Sequence, residues 1–178
     1  LSGGMKQRAL IALSLVLEPN VVVMDEPTAA LDLLMQRSIL DLLDTLQEKY
    51  DLTILFITHD LSLVAELSDR IGIMYAFEIV ELGPTDDILE HAAHPYTRAL
   101  LKSVPSLELD LEQMQPIEGS APDPVSLPDG CSYHPRCPLA DEECRTVDPQ
   151  FNEADSAHDV ACFHWERAAE AIPFDQQS

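Results

Sequence analysis

Long apolar runs are what this 178-residue chain most plainly lacks. Its hydrophobic residues come in runs of about four to eight, far below the ~18 that span a bilayer, so no segment reads as a membrane span. Basic charge is scarce as well. Ten Lys and Arg stand against 32 Asp and Glu, a net of -22, with lysine only at Lys6, Lys49 and Lys102. A field of that sign and size repels phosphate backbones and argues against general nucleic-acid binding. Its plain reading is a strongly solvated surface. A sharper one is adaptation to a high-salt cytoplasm, where screening mutes self-repulsion. A G-x-x-x-x-G-K-[ST] phosphate loop occurs nowhere, and the paired C-x2-C spacing of a zinc ribbon is missing. There is no internal repeat. An initiator Met is missing too, and the chain opens at Leu1 inside a motif-like stretch, so it is read as a fragment.

What is present is the alternation of an α/β layer over residues 1–103. The pattern predicts a helix over about 5–18, halted by Pro19-Asn20, then a strand at Val21–Met24 apolar enough to lie centrally in a parallel sheet. A helix over about 33–50 follows, with Asp32 as N-cap, and then a second buried strand at Leu52–Ile57. Asp60 is expected to cap a short helix to Ser68. Strands at Arg70–Tyr75 and Ile79–Leu82 are expected to join by a turn. Thr85 is expected to cap a further helix, and Pro95–Ser103 makes one more. Five prolines break residues 104–129 into a linker or extended arm. Residues 130–165 hold all four cysteines, and 166–178 form a polar tail.

Three local constellations carry chemistry. Ser2, Gly3 and Gly4 open a helix, whose unpaired N–H groups, dipole and hydroxyl suit a phosphate; plain capping is the simpler reading of those residues alone. Asp25 and Glu26 end an apolar strand, where ligands collect in parallel sheets. One such acid can hold Mg²⁺ through water and the next can polarise an attacking water. Thr58-His59-Asp60 ends the next strand, where His59 could bond a γ-phosphate or act as an ordinary packing histidine.

In this order the segments resemble the ABC transporter ATPase family. Leu1-Ser2-Gly3-Gly4-Met5-Lys6-Gln7-Arg8 is similar to its signature motif, and Val22-Val23-Met24-Asp25-Glu26-Pro27-Thr28 to its Walker B strand. Ala30-Leu31-Asp32 resembles the D-loop, and Ile57-Thr58-His59-Asp60 the switch-histidine segment. The resemblance implies a partial P-loop NTPase fold that uses ATP and Mg²⁺. Asp25 would support the metal, Glu26 would act as general base, and His59 would contact the γ-phosphate. Ser2, Gly3 and Gly4 would bind nucleotide held by a partner ATPase subunit, identical or paralogous, and Asp32 would communicate across the dimer. The fragment alone is expected to be inactive, because the phosphate loop and its Lys are missing. A DNA-repair type ATPase is disfavoured by the acidic charge and the lack of heptads. A truncated or regulatory product with a metal-binding cysteine module is the non-enzymatic alternative.

The later segments resemble the oligopeptide/dipeptide importer branch: Gly83-Pro84-Thr85, His94-Pro95-Tyr96-Thr97-Arg98-Ala99-Leu100-Leu101, and Gly130-Cys131 through His134-Pro135-Arg136-Cys137-Pro138. The resemblance implies two permease subunits, an extracellular substrate-binding protein, and a peripheral place on the cytoplasmic face of the membrane. Phe77-Glu78 occupies a turn where the family usually has glycine, so a longer or reshaped hairpin is expected. Cys131, Cys137, Cys144 and Cys162 are spaced C-x5-C-x6-C-x17-C. Disulfides, free thiols and metal ligation all remain open on spacing alone. The resemblance favours a four-iron four-sulfur cluster over zinc. His134, His158 and His164 are read as solvent-facing or supporting residues.

Overall fold

The computed structural model describes residues 2–29, 31–103, 116–155 and 157–173. Leu1 of the signature-like motif, Ala30 of the D-loop-like motif, residues 104–115 of the proline-rich segment, Ser156 and residues 174–178 of the tail lie outside the described residues. The chain divides into two compact units, residues 1–67 and 68–178. Its class is mixed α/β, with one parallel and one antiparallel sheet. No described helix is long and apolar enough to cross a membrane.

The first unit runs α1 (Gly3–Ser14), β1 (Val21–Asp25), α2 (Leu33–Tyr50), β2 (Thr53–Ile57) and α3 (Leu61–Leu67). Helix α1 stops at Ser14, short of the expected Glu18. Glu18, just before Pro19, lies outside the helix at a φ of 47°. Helix α2 keeps its expected limits. The Asp32 carboxylate accepts the Met35 N–H at 2.9 Å, and Asp51 closes the helix in the left-handed conformation. Strands β1 and β2 pair in parallel from Val21↔Thr53 to Asp25↔Ile57. Val22 and Met24 pack with Ile11 of α1 and with Ile39 and Leu43 of α2. The expectation of burial on both faces of these strands is not met: Val21, Val23, Leu55 and Ile57 are exposed. A uniformly apolar run suits two covered faces, but within this unit helices cover only one.

The second unit contains β3 (Arg70–Tyr75), β4 (Glu78–Pro84), α4 (Thr85–His91), α5 (Pro95–Ser103), α6 (Glu142–Thr146), β5 (Asn152–Asp155), β6 (His158–Val160) and α7 (Trp165–Ala171). Its antiparallel sheet has the order β3-β4-β6-β5, so two short strands from the cysteine-rich segment extend the hairpin's sheet. The hairpin is not lengthened by Phe77. Ala76 and Phe77 form a two-residue turn with φ of 47° and 71°, the sign pattern of a type I′ turn, which matches strand twist but strains residues that carry a Cβ. Thr85 does not cap α4. Its hydroxyl donates to the Ser68 carbonyl, while Pro84 holds the cap position without a side-chain bond. Tyr75, Tyr96 and Tyr133 stack edge to face and tilted, with centroids 4.5–5.4 Å apart, in the favoured range for aromatic pairs.

Candidate functional site

In the first unit, β1 and β2 end side by side, and their tips carry the acidic pair and the histidine. Beyond Asp25 the chain turns sharply. The Glu26 N–H donates to the Ile57 carbonyl at 2.9 Å, while Glu26 itself sits at φ 45°. That is the left-handed region, costly for a side chain with a Cβ, and sequence reasoning did not foresee it. The turn aims Glu26 across to the neighbouring strand, where its Oε1 lies 2.7 Å from His59 Nδ1. Hydrogen bonding to Glu26, then its negative charge, raises the His59 pKa above the ordinary value. The imidazole stays largely exposed, its side chain 81% accessible. A carboxylate bonded to an exposed imidazole can accept a proton from water and leave the second ring nitrogen for an anion. Asp25 is exposed at the end of β1.

The other residues singled out in this unit are engaged as helix caps. Ser2 Oγ accepts the Met5 N–H at 3.3 Å, with Gly3 and Gly4 forming the first turn of α1. Asp32 caps α2. Asp60 accepts the Ser62 and Leu63 N–H groups and so starts α3, as expected.

In the second unit, Cys131, Cys137, Cys144 and Cys162 line one cavity together with Tyr133 and His164. None is in a disulfide. Burial, reinforced by the neighbouring thiols, pushes Cys137 up to about 11 and Cys162 up to about 12. Burial also raises Cys131 and Cys144. Thiols packed this way stay protonated unless a cation takes the proton's place. Gly130 makes the arrangement possible. It has φ 66°, and a Cβ there would stand 2.6 Å from the Cys144 carbonyl oxygen. The Cys131 N–H donates to that same carbonyl at 2.9 Å. Only glycine allows this backbone approach.

Sequence reasoning missed a buried ion pair beside this cavity. Glu81 is 0% exposed and His158 3%, and His158 Nε2 lies 2.8 Å from Glu81 Oε1. The same carboxylate accepts the Ala93 and His94 N–H groups at 2.5 and 3.1 Å. Reading His158 as solvent-facing is therefore wrong. A glutamate within an apolar β pattern was the available signal for Glu81; nothing local pointed to a partner 77 residues away. His94 is buried as well, and desolvation lowers it to about 4. His134 bonds the Cys131 carbonyl at 2.9 Å, and His164 pairs with Asp141.

The family model described as oligopeptide/dipeptide transporter, C-terminal region, matches residues 80–144. An AAA-domain model, described with the AbiEii toxin and type IV TA system, matches residues 1–65. The dipeptide transport ATP-binding protein DppD of Caldanaerobacter subterraneus subsp. tengcongensis is 43% identical over 166 residues, 93% of this chain and 51% of that protein. The oligopeptide transport ATP-binding protein AppD of Bacillus subtilis is 42% identical over the same length, with the same coverage of 93% and 51%. Among solved structures, CbiO1 of Clostridium perfringens, part of the ABC transporter complex CbiONQ, aligns with 49% of this chain and 35% of its own at 36% identity, with a TM-score of 0.47.

The chain belongs to the ATP-binding proteins of ABC transporters. Within them it corresponds to the C-terminal part of an oligopeptide/dipeptide-type protein similar to DppD and AppD. It spans about half the length of the curated relatives it matches.

Proposed function

We propose that this chain supplies the C-terminal half of an ATPase subunit that drives uptake of dipeptides or oligopeptides across the cell membrane. The observation that carries the reading is the 2.7 Å approach of Glu26 to His59 at adjoining strand tips. Asp25 would hold Mg²⁺ through its water shell, and Glu26 would take the proton of the attacking water. His59 would keep that carboxylate in place while its other ring nitrogen meets the γ-phosphate. Ser2 to Gly4 would reach nucleotide held by a second subunit, with Asp32 signalling between the two sites. Permease subunits and an extracellular binding protein would complete the importer, with this subunit peripheral on the cytoplasmic face. Residues 1–103 would form the nucleotide-binding portion and 130–165 the importer extension, joined by 104–129. The chain contains no glycine-rich phosphate loop, so it needs one supplied by the rest of the subunit to turn over ATP.

Glu26→Gln or His59→Ala in the full-length subunit, assembled with its permeases, is expected to slow ATP hydrolysis about 10²–10⁴-fold. Turnover at the unaltered rate in both variants would defeat the assignment.

The four cysteines suit a polynuclear group. A single tetrahedral ion would bring its thiolates to about 3.8 Å of one another, and no three of these sulfurs lie within 4.8 Å of one another. A wider core, such as a four-iron four-sulfur cluster, would be held by Cys131, Cys137, Cys144 and Cys162 and would supply electron transfer or a structural brace. Anaerobic reconstitution with iron and sulfide is expected to give broad absorbance near 400 nm (approximate for thiolate-ligated iron) that Cys137→Ser abolishes.

A further inference from the structure

We propose that Asp141, Cys144 and His164 form a mononuclear site for a divalent transition ion of the Zn²⁺ class, at the edge of the four-thiol cavity that Cys144 and His164 also line. Among the described residues this is the one trio whose ligating atoms all lie within 4.8 Å of one another. Two of its members are already at near-ligand spacing, with His164 Nε2 2.9 Å from Asp141 Oδ2. Two donors on one tetrahedral zinc ion stand about 3.3 Å apart, so those two atoms need only a small adjustment.

Each donor is held by contacts that ion binding would leave intact. Asp141 caps α6 through its first oxygen, which accepts the Cys144 N–H at 3.1 Å, and this frees the second oxygen for a cation. His164 is fixed through its backbone, whose N–H donates to Cys162 Sγ at 3.3 Å. Cys144 is buried, with its backbone pinned to Cys131. One thiolate, one imidazole and one carboxylate form a borderline-soft set that prefers zinc to magnesium or calcium. Loading replaces the thiol proton of Cys144, which leaves to solvent, and the proton shared by Asp141 and His164 gives way to the ion. Ion, thiolate and carboxylate then sum to zero charge. With three protein donors, water completes the coordination.

Because Cys144 belongs to both donor sets, the ion and a four-thiolate assembly are alternatives and never coexist. That exclusion rests on the cysteine reading given above, whereas the trio does not. Metal-free protein titrated with Co²⁺, a spectroscopic stand-in for zinc, separates the two. The expected result is one Co²⁺ per chain, with tetrahedral visible bands and charge transfer of a single thiolate. Cys137→Ser should leave it unchanged, and Asp141→Asn and His164→Gln should each weaken it about 10–100-fold. Asn retains the capping oxygen, so Asp141→Asn tests ligation in a folded chain, and circular dichroism checks that. Co²⁺ binding lost in Cys137→Ser, or retained undiminished in both Asp141→Asn and His164→Gln, would overturn the proposal, as would no binding by the folded protein. Iron–sulfur reconstitution in Asp141→Asn reports on the four cysteines independently.

Discussion

Glu26 combines a strained backbone with a side chain that has a partner, and the two are separable by substitution. Gln keeps the φ of 45° and removes the negative charge, so His59 loses the interaction that raises its pKa. The His59 ring is expected to titrate above ordinary histidine in the wild-type chain and lower in Glu26→Gln than in wild type, read from its NMR shifts against pH. Because the folded value is the higher one, the pair contributes fully below the ordinary histidine pKa. That contribution fades as pH rises through the raised value. Phe77 is a simpler case of strain. It holds φ 71° with its ring 70% exposed, so no packing depends on it. Phe77→Gly is expected to stabilise the second unit by about 0.5–1 kcal/mol in chemical denaturation, since glycine takes that conformation without a Cβ clash.

At the scale of elements, the joint between β4 and β6 is the place to press. It is only two residue pairs long, yet it encloses the Glu81–His158 pair. His158→Ala would remove the side-chain partner of a buried carboxylate, leaving it two backbone donors and the charge of Arg98, and a loss of about 3 kcal/mol is expected in the unfolding free energy. Hydrogen bonding to Glu81 raises the His158 pKa against the lowering effect of burial. The joint is therefore firm below the ordinary histidine pKa and weakens as pH climbs past the raised value. Melting temperature against pH should fall across that window in wild type and much less in His158→Ala. Gly83 belongs to the same joint. A Cβ there would approach the His158 ring to 3.0 Å, and Gly83→Ala is expected to cost about 1–3 kcal/mol as overpacking. Element boundaries were readable where local chemistry was decisive. Helix α2 begins at its Asp32 cap, and α5 spans Pro95–Ser103 as expected. Strand β5, Asn152-Glu153-Ala154-Asp155, was not readable, because its polar, weakly β-forming residues become a strand only through pairing with β6.

Across the whole molecule, the net charge of -22 is spread over both units and opposes compactness by self-repulsion. Added KCl should screen it, and melting temperature is expected to rise between low and molar salt. A flat response would remove the argument for a high-salt setting. The approach of Glu26 to His59 was readable from sequence because both follow the ends of neighbouring strands, where topology alone brings side chains together. The left-handed turn that aims Glu26 was not, since nothing in Asp25-Glu26-Pro27 requires it. The sequence singled out the four cysteines but not their gathering around one cavity, which depends on how the loops of 131–144 and 162 meet in three dimensions.

That meeting is fixed at one point by Gly130, which lets two loops touch through peptide groups alone. A seat braced by main chain does not need its occupant in order to keep its shape. If the cysteines hold the proposed metal group, removing it should therefore leave the Cys131 and Cys144 backbones standing where they are, ready to refill without refolding, whereas a bulkier residue at position 130 would turn each such loss into a loss of structure.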